Sequence, residues 1–245
     1  MDSSWDAGTP YITLFGPDHL AYIAGLLIVL AALLTGRSWV RRHATGLRRA
    51  ILGLSVAQFT GLYLWYFLET GFDVAEALPL HISRTTTILG LVFLITRRPA
   101  WLNVQFFFGL FAYATFVLPS KIYPVTHVIG WSFFVSHTIN IALPIFAGIA
   151  WGWRPTVRGL WKAYGWFLVY FVAAVVVNRL VGGNYFYLRD RPLLKSLPSP
   201  WYELGALAAT LAIFWIGYGV SRLAGPGARA DEGSEPLDVG MSRIA

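Results

Sequence analysis

The sequence contains no cysteine among its 245 residues. Disulfide bonds, thiolate metal ligands and a cysteine nucleophile are therefore excluded. Charged residues are also scarce, at 13%, whereas hydrophobic residues make up 56% of the chain. Together with a mean hydropathy of +0.58, this composition excludes an ordinary soluble domain and indicates a polytopic membrane protein.

Seven apolar runs in the sequence are each long enough to cross the hydrocarbon layer of a membrane as a helix. They predict an all-α polytopic membrane helical bundle of about seven transmembrane helices, with spans at residues 19–35, 50–68, 78–96, 102–118, 129–150, 163–181 and 204–223. Residues 224–245 are polar, Gly-rich and short of apolar side chains. We therefore predict a transmembrane helical domain at 1–223 and a disordered cytoplasmic tail at 224–245.

The distribution of basic residues predicts the orientation. Twelve of the nineteen Lys and Arg residues lie in the tail and in the loops 37–49, 97–101 and 153–162, and Arg222 at the end of the last span is a thirteenth on this side. This side should therefore be cytoplasmic and the amino terminus should be outside. We expect a multi-pass protein of the cell (plasma) membrane. No Lys or Arg precedes Arg37, so the first apolar run is expected to stay as a membrane helix rather than act as a secretory signal. Because the net charge of +7 reflects these loops, no nucleic-acid partner is expected.

Polar side chains from several spans are predicted at one depth, close to the outer surface. They are His19 in the first span, His81, Ser83, Arg84 and Thr85 in the third, His137 and Asn140 in the fifth, and Asn178 and Arg179 in the sixth. A charge at the centre of a bilayer costs about 2.5 to 3.5 kcal/mol on insertion scales, so such residues usually face the bundle interior or a wet cavity. The sequence therefore predicts a polar pocket in the outer leaflet.

The partners of the two arginines remain open from the sequence. Arg84 has no carboxylate within its own span; its partner could be Glu69, Asp73 or Glu76, or an anionic ligand. Arg179 could equally extend its side chain to the headgroups. For the threonines at 85–87, hydrogen bonding to backbone within the membrane is a structural alternative to a role in chemistry.

The connection at 182–203 is the longest between spans and carries Asn184 and Tyr185 close to a Gly-Gly pair. Loops of this length often act as lids or binding elements. We expect this loop to lie outside, over the polar pocket.

Three motifs carry a family resemblance: LPLHIS at 78–83, SHTINIALP at 136–144 and GGNYFYLR at 182–189. They resemble the bacterial YwaF-like integral membrane family over nearly the whole chain up to the tail. That family is distantly similar to eukaryotic multispan lipid acyltransferases and fatty-acid ester hydrolases. The resemblance implies acyl transfer or ester hydrolysis, with a nucleophile in the LPLH region and His137 as general base. The acyltransferase relatives use cysteine there, whereas this chain offers Ser83 or one of the threonines at 85–87.

We therefore expect a membrane-embedded acyl-ester enzyme, either an acyltransferase or a hydrolase, that acts on a membrane lipid from an outer-leaflet pocket. The candidate catalytic residues are His137, Ser83, His81 and Thr85, and the candidate substrate-binding residues are Arg84, Asn140, Asn178, Arg179, Asn184 and Tyr185. A histidine within hydrogen-bond reach can activate a serine or threonine hydroxyl. No cofactor and no metal are expected, and the sequence is compatible with a homo-oligomer.

Two other functions are considered. A zinc hydrolase would use His19, His81 and His137 as ligands, but the sequence has no H-x-x-x-H pair to support it. A non-enzymatic lipid- or anion-binding transporter or channel would need polar residues through the inner half of the membrane, where Gln58 and Gln105 are almost the only candidates. A binding protein without chemistry remains an open alternative.

Overall fold

The computed structural model describes residues 4–191 and 195–223, so the tail predicted at 224–245 lies outside the described residues. The described part of the chain contains helices and no β-strand, which confirms the all-α prediction. The helices are α1 (Pro17–Thr35), α2 (Arg37–Arg42), α3 (Ala44–Glu69), α4 (Ile82–Thr96), α5 (Pro99–Val117), α6 (Val128–Trp151), α7 (Val157–Val181) and α8 (Trp201–Leu223), with a short 3₁₀ helix at Tyr185–Tyr187.

Six of these helices, namely α1, α3, α5, α6, α7 and α8, are long and apolar enough to cross a membrane. The seventh predicted span corresponds to α4, which is apolar but has 15 residues. At 1.5 Å per residue, α4 covers roughly 22 Å, which is shorter than the hydrocarbon layer. The fold is therefore a polytopic helical membrane bundle with one short helix.

The segments at one end of the bundle are hydrogen-bonded to each other. There α1, α4, α6 and α8 begin and α3, α5 and α7 end; we call it the cavity end. Ile12 N–H donates to Ile122 O at 2.8 Å, which joins the amino-terminal segment to the loop before α6. Leu78 N–H donates to Tyr185 Oη at 3.1 Å, which joins the loop before α4 to the loop after α7. We call the opposite end, which carries α2, the basic end.

The helix α4 begins four residues later than the predicted start of its span at residue 78. Pro79 lies in the turn that precedes it, and a proline disfavours helical geometry at the residue before it. His81 is the N-cap residue in extended conformation, with φ −66° and ψ 132°. His81 therefore lies before the helix rather than within it, and the shortened helix leaves room above its first turn.

A proline inside α6 determines how α5 packs against it. Pro144 lacks an N–H group, so the carbonyl of Asn140, four residues earlier, has no donor within the helix. Gln105 of α5 supplies that donor, with Nε2 at 2.9 Å from Asn140 O. Gly109 of α5 allows the close approach, because a Cβ atom built there would lie 2.9 Å from the same oxygen.

The side chain of Asn140 joins α6 to α4 in the same layer. Its Nδ2 donates to the carbonyl of Ser83 at 3.0 Å and to the hydroxyl of Thr87 at 3.3 Å. Asn140 is 1% exposed, so these bonds lie in the bundle interior. Asn140 therefore connects α4, α5 and α6 through both its side chain and its backbone.

We predict that Gln105→Met destabilises the protein by about 0.6 to 1.7 kcal/mol, because it leaves a buried carbonyl without a donor. In a Pro144→Ala background the N–H of residue 144 is restored, so the same substitution should cost less. The measurement is the free energy of unfolding by SDS titration in mixed micelles, arranged as a double-mutant cycle. An equal cost of Gln105→Met in both backgrounds would show that Gln105 does not replace the missing helical donor.

Candidate functional site

A cavity of ≈ 370 Å³ lies at the cavity end, between the first turns of α4 and α6 and the surrounding loops. We call it the histidine cavity. Its charged, histidine, serine and asparagine lining residues are Asp73, Glu76, His81, Ser83, Arg84, Ser120, Lys121, Ser132, Ser136, His137, Asn184 and Asp190. Aromatic and aliphatic side chains complete the wall, among them Trp65, Ile122 and Phe133. Four of the residues for which the sequence predicts a common pocket, His81, Ser83, Arg84 and His137, therefore line one cavity.

His137 is held in one orientation by its own helix. Its Nδ1 lies 2.8 Å from the carbonyl oxygen of Phe133 and 3.2 Å from Ser136 Oγ. Because a carbonyl oxygen can only accept, Nδ1 must carry the proton in this contact. The described residues offer no hydrogen-bond partner to Nε2, so a neutral ring has its free lone pair at Nε2, on a side chain that lines the cavity.

Ser83 is the second residue of α4 and also lines the cavity. Its hydroxyl makes no hydrogen bond within the described part of the chain, whereas its carbonyl accepts from Asn140 and from Thr87. The first turn of a helix carries a partial positive charge, although in α4 the N–H groups of Arg84 and Thr85 already donate to His81 O. Ser83 therefore combines an unpartnered hydroxyl with a helix amino terminus. No direct hydrogen bond joins it to His137 among the described residues.

His81 and Thr85, the other two candidate catalytic residues, have different surroundings. The His81 ring lines the cavity and packs edge-to-face on Tyr185, with the ring centroids 5.0 Å apart. Thr85 is not part of the cavity wall, and its hydroxyl donates to Pro79 O at 2.9 Å. Thr86 and Thr87 donate to carbonyls of their own helix. Ser83 is therefore the predicted hydroxyl that lines the cavity.

Arg84 is bonded to backbone and phenol oxygens rather than to a carboxylate. Its guanidinium donates to the carbonyls of Glu76 and Leu78, at 2.5 and 3.2 Å, and to the Tyr66 hydroxyl. The guanidinium also lies 4.8 Å from the centre of the Tyr66 ring. Within the described ranges, none of the acidic side chains proposed as its partner forms an ion pair with it. Its positive charge thus remains on the cavity wall without a paired carboxylate.

Three of the candidate substrate-binding residues hold the structure around the cavity instead of lining it. These are Asn140, described above, and the pair Asn178 and Tyr185. Asn178 Nδ2 donates to Tyr185 O and its Oδ1 accepts from Tyr185 N, both at 2.8 Å. The buried Tyr185 hydroxyl donates to Val74 O at 2.6 Å. The loop after α7 is thereby fixed to the loop before α4.

Asn184 and Arg179 complete the predicted set. Asn184 lines the cavity, and its Oδ1 accepts from the backbone N–H groups of Arg189 and Asp190 at 2.9 and 3.0 Å. Arg179 is exposed on the surface of α7 and is not part of the cavity wall. Asn184 therefore shapes the loop over the cavity, as expected for that loop, while Arg179 lies apart from it.

The amino-terminal segment helps to build this end, which the sequence pattern does not predict. Tyr11 lines the cavity, and Trp65 Nε1 donates to Trp5 O at 2.7 Å. His127 lies below the segment; its Nε2 is 3.2 Å from Asp6 O, and burial lowers its pKa. A neutral His127 can donate to that carbonyl and accept from Ile129 N–H. The available signal was the set of three aromatic residues, Trp5, Tyr11 and Phe15, in the segment before the first span.

His19 does not join the cavity histidines. Its Nδ1 accepts from Phe15 N–H at 3.0 Å, and its Nε2 donates to Phe116 O at 2.7 Å. Both nitrogens are thus engaged with backbone. Across residues 4–191 and 195–223, the structure brings together no group of three or more His, Cys, Asp or Glu side chains that could hold a metal ion.

The bundle and the cavity together define a polytopic helical membrane protein with a polar pocket at one end. The TMEM164 family matches residues 14–218, and the chain belongs to this family. The chain is also similar to a protein of Treponema pallidum (strain Nichols) described only as uncharacterized. The two are 28% identical over 193 residues, which cover 76% of this chain and 79% of that protein. No solved structure matches the chain.

We predict that Tyr185→Phe loosens the loop before α4, because the hydroxyl is the shared partner of Val74 O and Leu78 N–H. Hydrogen–deuterium exchange in detergent should become faster in the peptide containing residues 74–78. Tyr202→Phe is the matched control, since its hydroxyl contacts Tyr187 O at an exposed position. Unchanged exchange at 74–78 in Tyr185→Phe would show that this hydroxyl does not hold the loop.

Proposed function

We propose that this member of the TMEM164 family is a membrane-embedded acyl-ester enzyme, an acyltransferase or hydrolase, that acts on a lipid in the histidine cavity. One observation carries the proposal. The Nδ1 of His137 is occupied by Phe133 O, so its free Nε2 is a base, and the same cavity contains the unpartnered hydroxyl of Ser83. The resemblance to YwaF-like proteins and, through them, to lipid acyltransferases and ester hydrolases points to the same chemistry.

In the proposed reaction, His137 Nε2 takes the proton of Ser83 as Oγ bonds to the acyl carbon of the ester. The proton then passes from Nε2 to the leaving alcohol as the carbon–oxygen bond of the ester breaks, which gives an acyl-serine and a free alcohol. A water molecule or an acceptor hydroxyl, deprotonated in turn by His137, attacks the acyl-serine and regenerates Ser83. Water makes the protein a hydrolase and an acceptor alcohol makes it an acyltransferase.

The tetrahedral intermediate carries a negative charge, and two positive groups lie next to Ser83 on a wall that also contains the carboxylates of Asp73, Glu76 and Asp190. Ser83 is in the first turn of α4, where N–H groups and the helix dipole are positive. The next residue, Arg84, adds a guanidinium that donates to backbone and phenol oxygens and forms no ion pair within the described residues. Preorganised donors of this kind are usually the largest contribution to catalysis of acyl transfer.

The orientation of His137 depends on a backbone carbonyl rather than on an acidic residue. Phe133 O holds the Nδ1 proton, the place that an aspartate occupies in a serine–histidine–aspartate triad. A neutral carbonyl stabilises the imidazolium less than a carboxylate does. We therefore expect an enzyme that transfers protons in the same order as a serine–histidine–aspartate enzyme but reacts more slowly.

The surroundings of the cavity support a one-sided pocket rather than a path through the membrane. Gln105 is buried and bonded to Asn140 O, and Gln58 accepts from Ser132 Oγ at 2.9 Å. Beyond this layer, toward the basic end, lies a tightly packed apolar cluster that includes Leu94, Leu143 and Phe146. These contacts therefore favour a pocket that a lipid enters from the cavity end over a transport path through the bundle. We propose that the cavity end lies at the outer leaflet of the cell membrane.

The test is untargeted lipid analysis of cells that express the intact protein, His137→Ala, Ser83→Ala or no protein, at equal membrane levels. We expect one lipid class whose acyl chains change with the intact protein. His137→Ala should reduce that change by about a hundredfold or more, because the general base is lost. Ser83→Ala should abolish it.

His43→Ala is the matched control, since His43 is an exposed histidine at the basic end whose ring contacts Trp39 O. It should behave as the intact protein does. If the lipid profile is the same in all strains, the protein does not process lipids. If His137→Ala keeps the activity of the intact protein, His137 is not the general base. If Ser83→Ala keeps that activity, Ser83 is not the nucleophile.

A further inference from the structure

A second cavity, of ≈ 420 Å³, adjoins the histidine cavity. The two share a wall formed by Ser120, Lys121, Asn184, Tyr187 and Asp190. We call the second cavity the basic mouth. Its volume falls within the range of small-molecule sites, which is roughly 300 to 1,000 Å³. A ligand group held in the basic mouth would therefore lie next to one that occupies the histidine cavity.

The basic mouth is strongly positive. Its wall contains Lys121, Arg189, Arg191 and Lys195, against the single carboxylate of Asp190. In the described part of the chain one ion pair forms, between Arg191 and Glu203 at 3.5 Å. The other three cations have no ion-pair partner there. These four cations lie at the cavity end, whereas most of the other basic residues of the chain lie at the basic end.

The first part of the loop after α7, residues 182–191, supplies two of these cations and is fixed in position. Asn184 Oδ1 accepts from the backbone N–H groups of Arg189 and Asp190, and Arg189 donates to Gly182 O at 2.7 Å. The Arg191 guanidinium lies 4.1 Å from the centre of the Tyr202 ring. Gly183 allows the loop to approach the segment before α4, since a Cβ atom there would lie 2.9 Å from Ala75 O. Arg189 and Arg191 are thus held in position before any ligand arrives.

We propose that the basic mouth binds a phosphate group. Several unpaired cations around a cavity of this size suit an anion with more than one negative charge and several acceptor oxygens, and both guanidinium and ammonium groups bind phosphate. A free phosphate compound and the phosphate of a lipid headgroup share this chemistry. In the second case the headgroup occupies the basic mouth while an acyl ester extends into the histidine cavity. That link to the ester rests on the proposed function, whereas binding of phosphate does not.

The test uses the full chain purified in detergent, with the affinity for each ligand measured by native mass spectrometry. Inorganic phosphate and glycerol phosphate form the soluble arm, phosphatidic acid forms the lipid arm, and oleate tests a carboxylate. The double variant Lys121→Gln with Lys195→Gln should bind phosphate ligands at least about tenfold more weakly than the intact chain. These two side chains make no hydrogen bond to the described residues, so their loss should leave the fold intact.

Lys162→Gln is the matched control, because Lys162 is an exposed lysine at the basic end; its affinity should equal that of the intact chain. Binding of phosphatidic acid alone would assign the site to a lipid phosphate, and binding of the soluble ligands as well would show that it accepts free phosphate. If the double variant binds every phosphate ligand as the intact chain does, or if oleate alone depends on these lysines, the proposal is wrong.

Two further measurements test phosphate binding separately from the folding of the double variant and from catalysis. On the intact chain, raising the salt concentration from about 0.05 to about 0.5 M should weaken phosphate binding, because exposed charges are screened; no salt effect would contradict the proposal. His137 lines the histidine cavity and not the basic mouth, so His137→Ala should bind inorganic phosphate and glycerol phosphate as the intact chain does. Phosphate binding that persists without any change in cellular lipids would uphold the basic mouth and reject the acyl-ester chemistry.

Discussion

The arrangement of the cavity end depends on the hydrogen bonds of one buried residue, Asn140. Its side chain donates to the Ser83 carbonyl and the Thr87 hydroxyl, and its own carbonyl, left without a helical donor by Pro144, accepts from Gln105. A buried amide in a membrane bundle is stable only when it finds such partners. Because His137 lies on the turn before Asn140 and Ser83 on the first turn of α4, the same bonds set the positions of both side chains. Each bond in a membrane interior contributes modestly, about 0.6 kcal/mol on average, so it is the combination across three helices that fixes the geometry.

Above this layer, the space for a ligand results from the shortness of α4. Because of the turn at Pro79, α4 begins one turn later than the apolar run predicts. The backbone polar groups of residues 74–78 are bonded to Tyr185 and Arg84. The loops from α3, α5 and α7 and the amino-terminal segment then enclose the opening. In the proposed enzyme, α6 provides the base and α4 provides the nucleophile at the bottom of the cavity. The loops provide the positive charges proposed to bind the phosphate of the ligand.

The composition and the apolar runs were sufficient to predict the helical bundle, because long hydrophobic segments leave a membrane protein few alternatives. They also predicted a common pocket for His81, Ser83, Arg84 and His137, which all line the histidine cavity, since depth and helix direction follow from the spans.

The sequence did not predict the start of α4, because an apolar run containing Pro79 looks similar whether it is helix or turn. The sequence did not predict the hydrogen bonds of Asn140, Asn178 and Tyr185 to neighbouring backbone, because it shows that a polar residue is buried but not which partner satisfies it. The amino-terminal segment was missed because it has no periodicity.

Activation of the Ser83 hydroxyl by His137 within one cavity is the step on which the proposed chemistry depends. It is tested most directly by treating membranes that contain the intact protein with a lipid-like fluorophosphonate, which reacts with activated serine hydroxyls, and locating the adduct by peptide mass spectrometry. We predict an adduct on Ser83 in the intact protein and its loss in His137→Ala. If Ser83 reacted only because it is accessible to the reagent, the variant would still be labelled. An adduct on another serine, or equal labelling of Ser83 with and without His137, would contradict this mechanism.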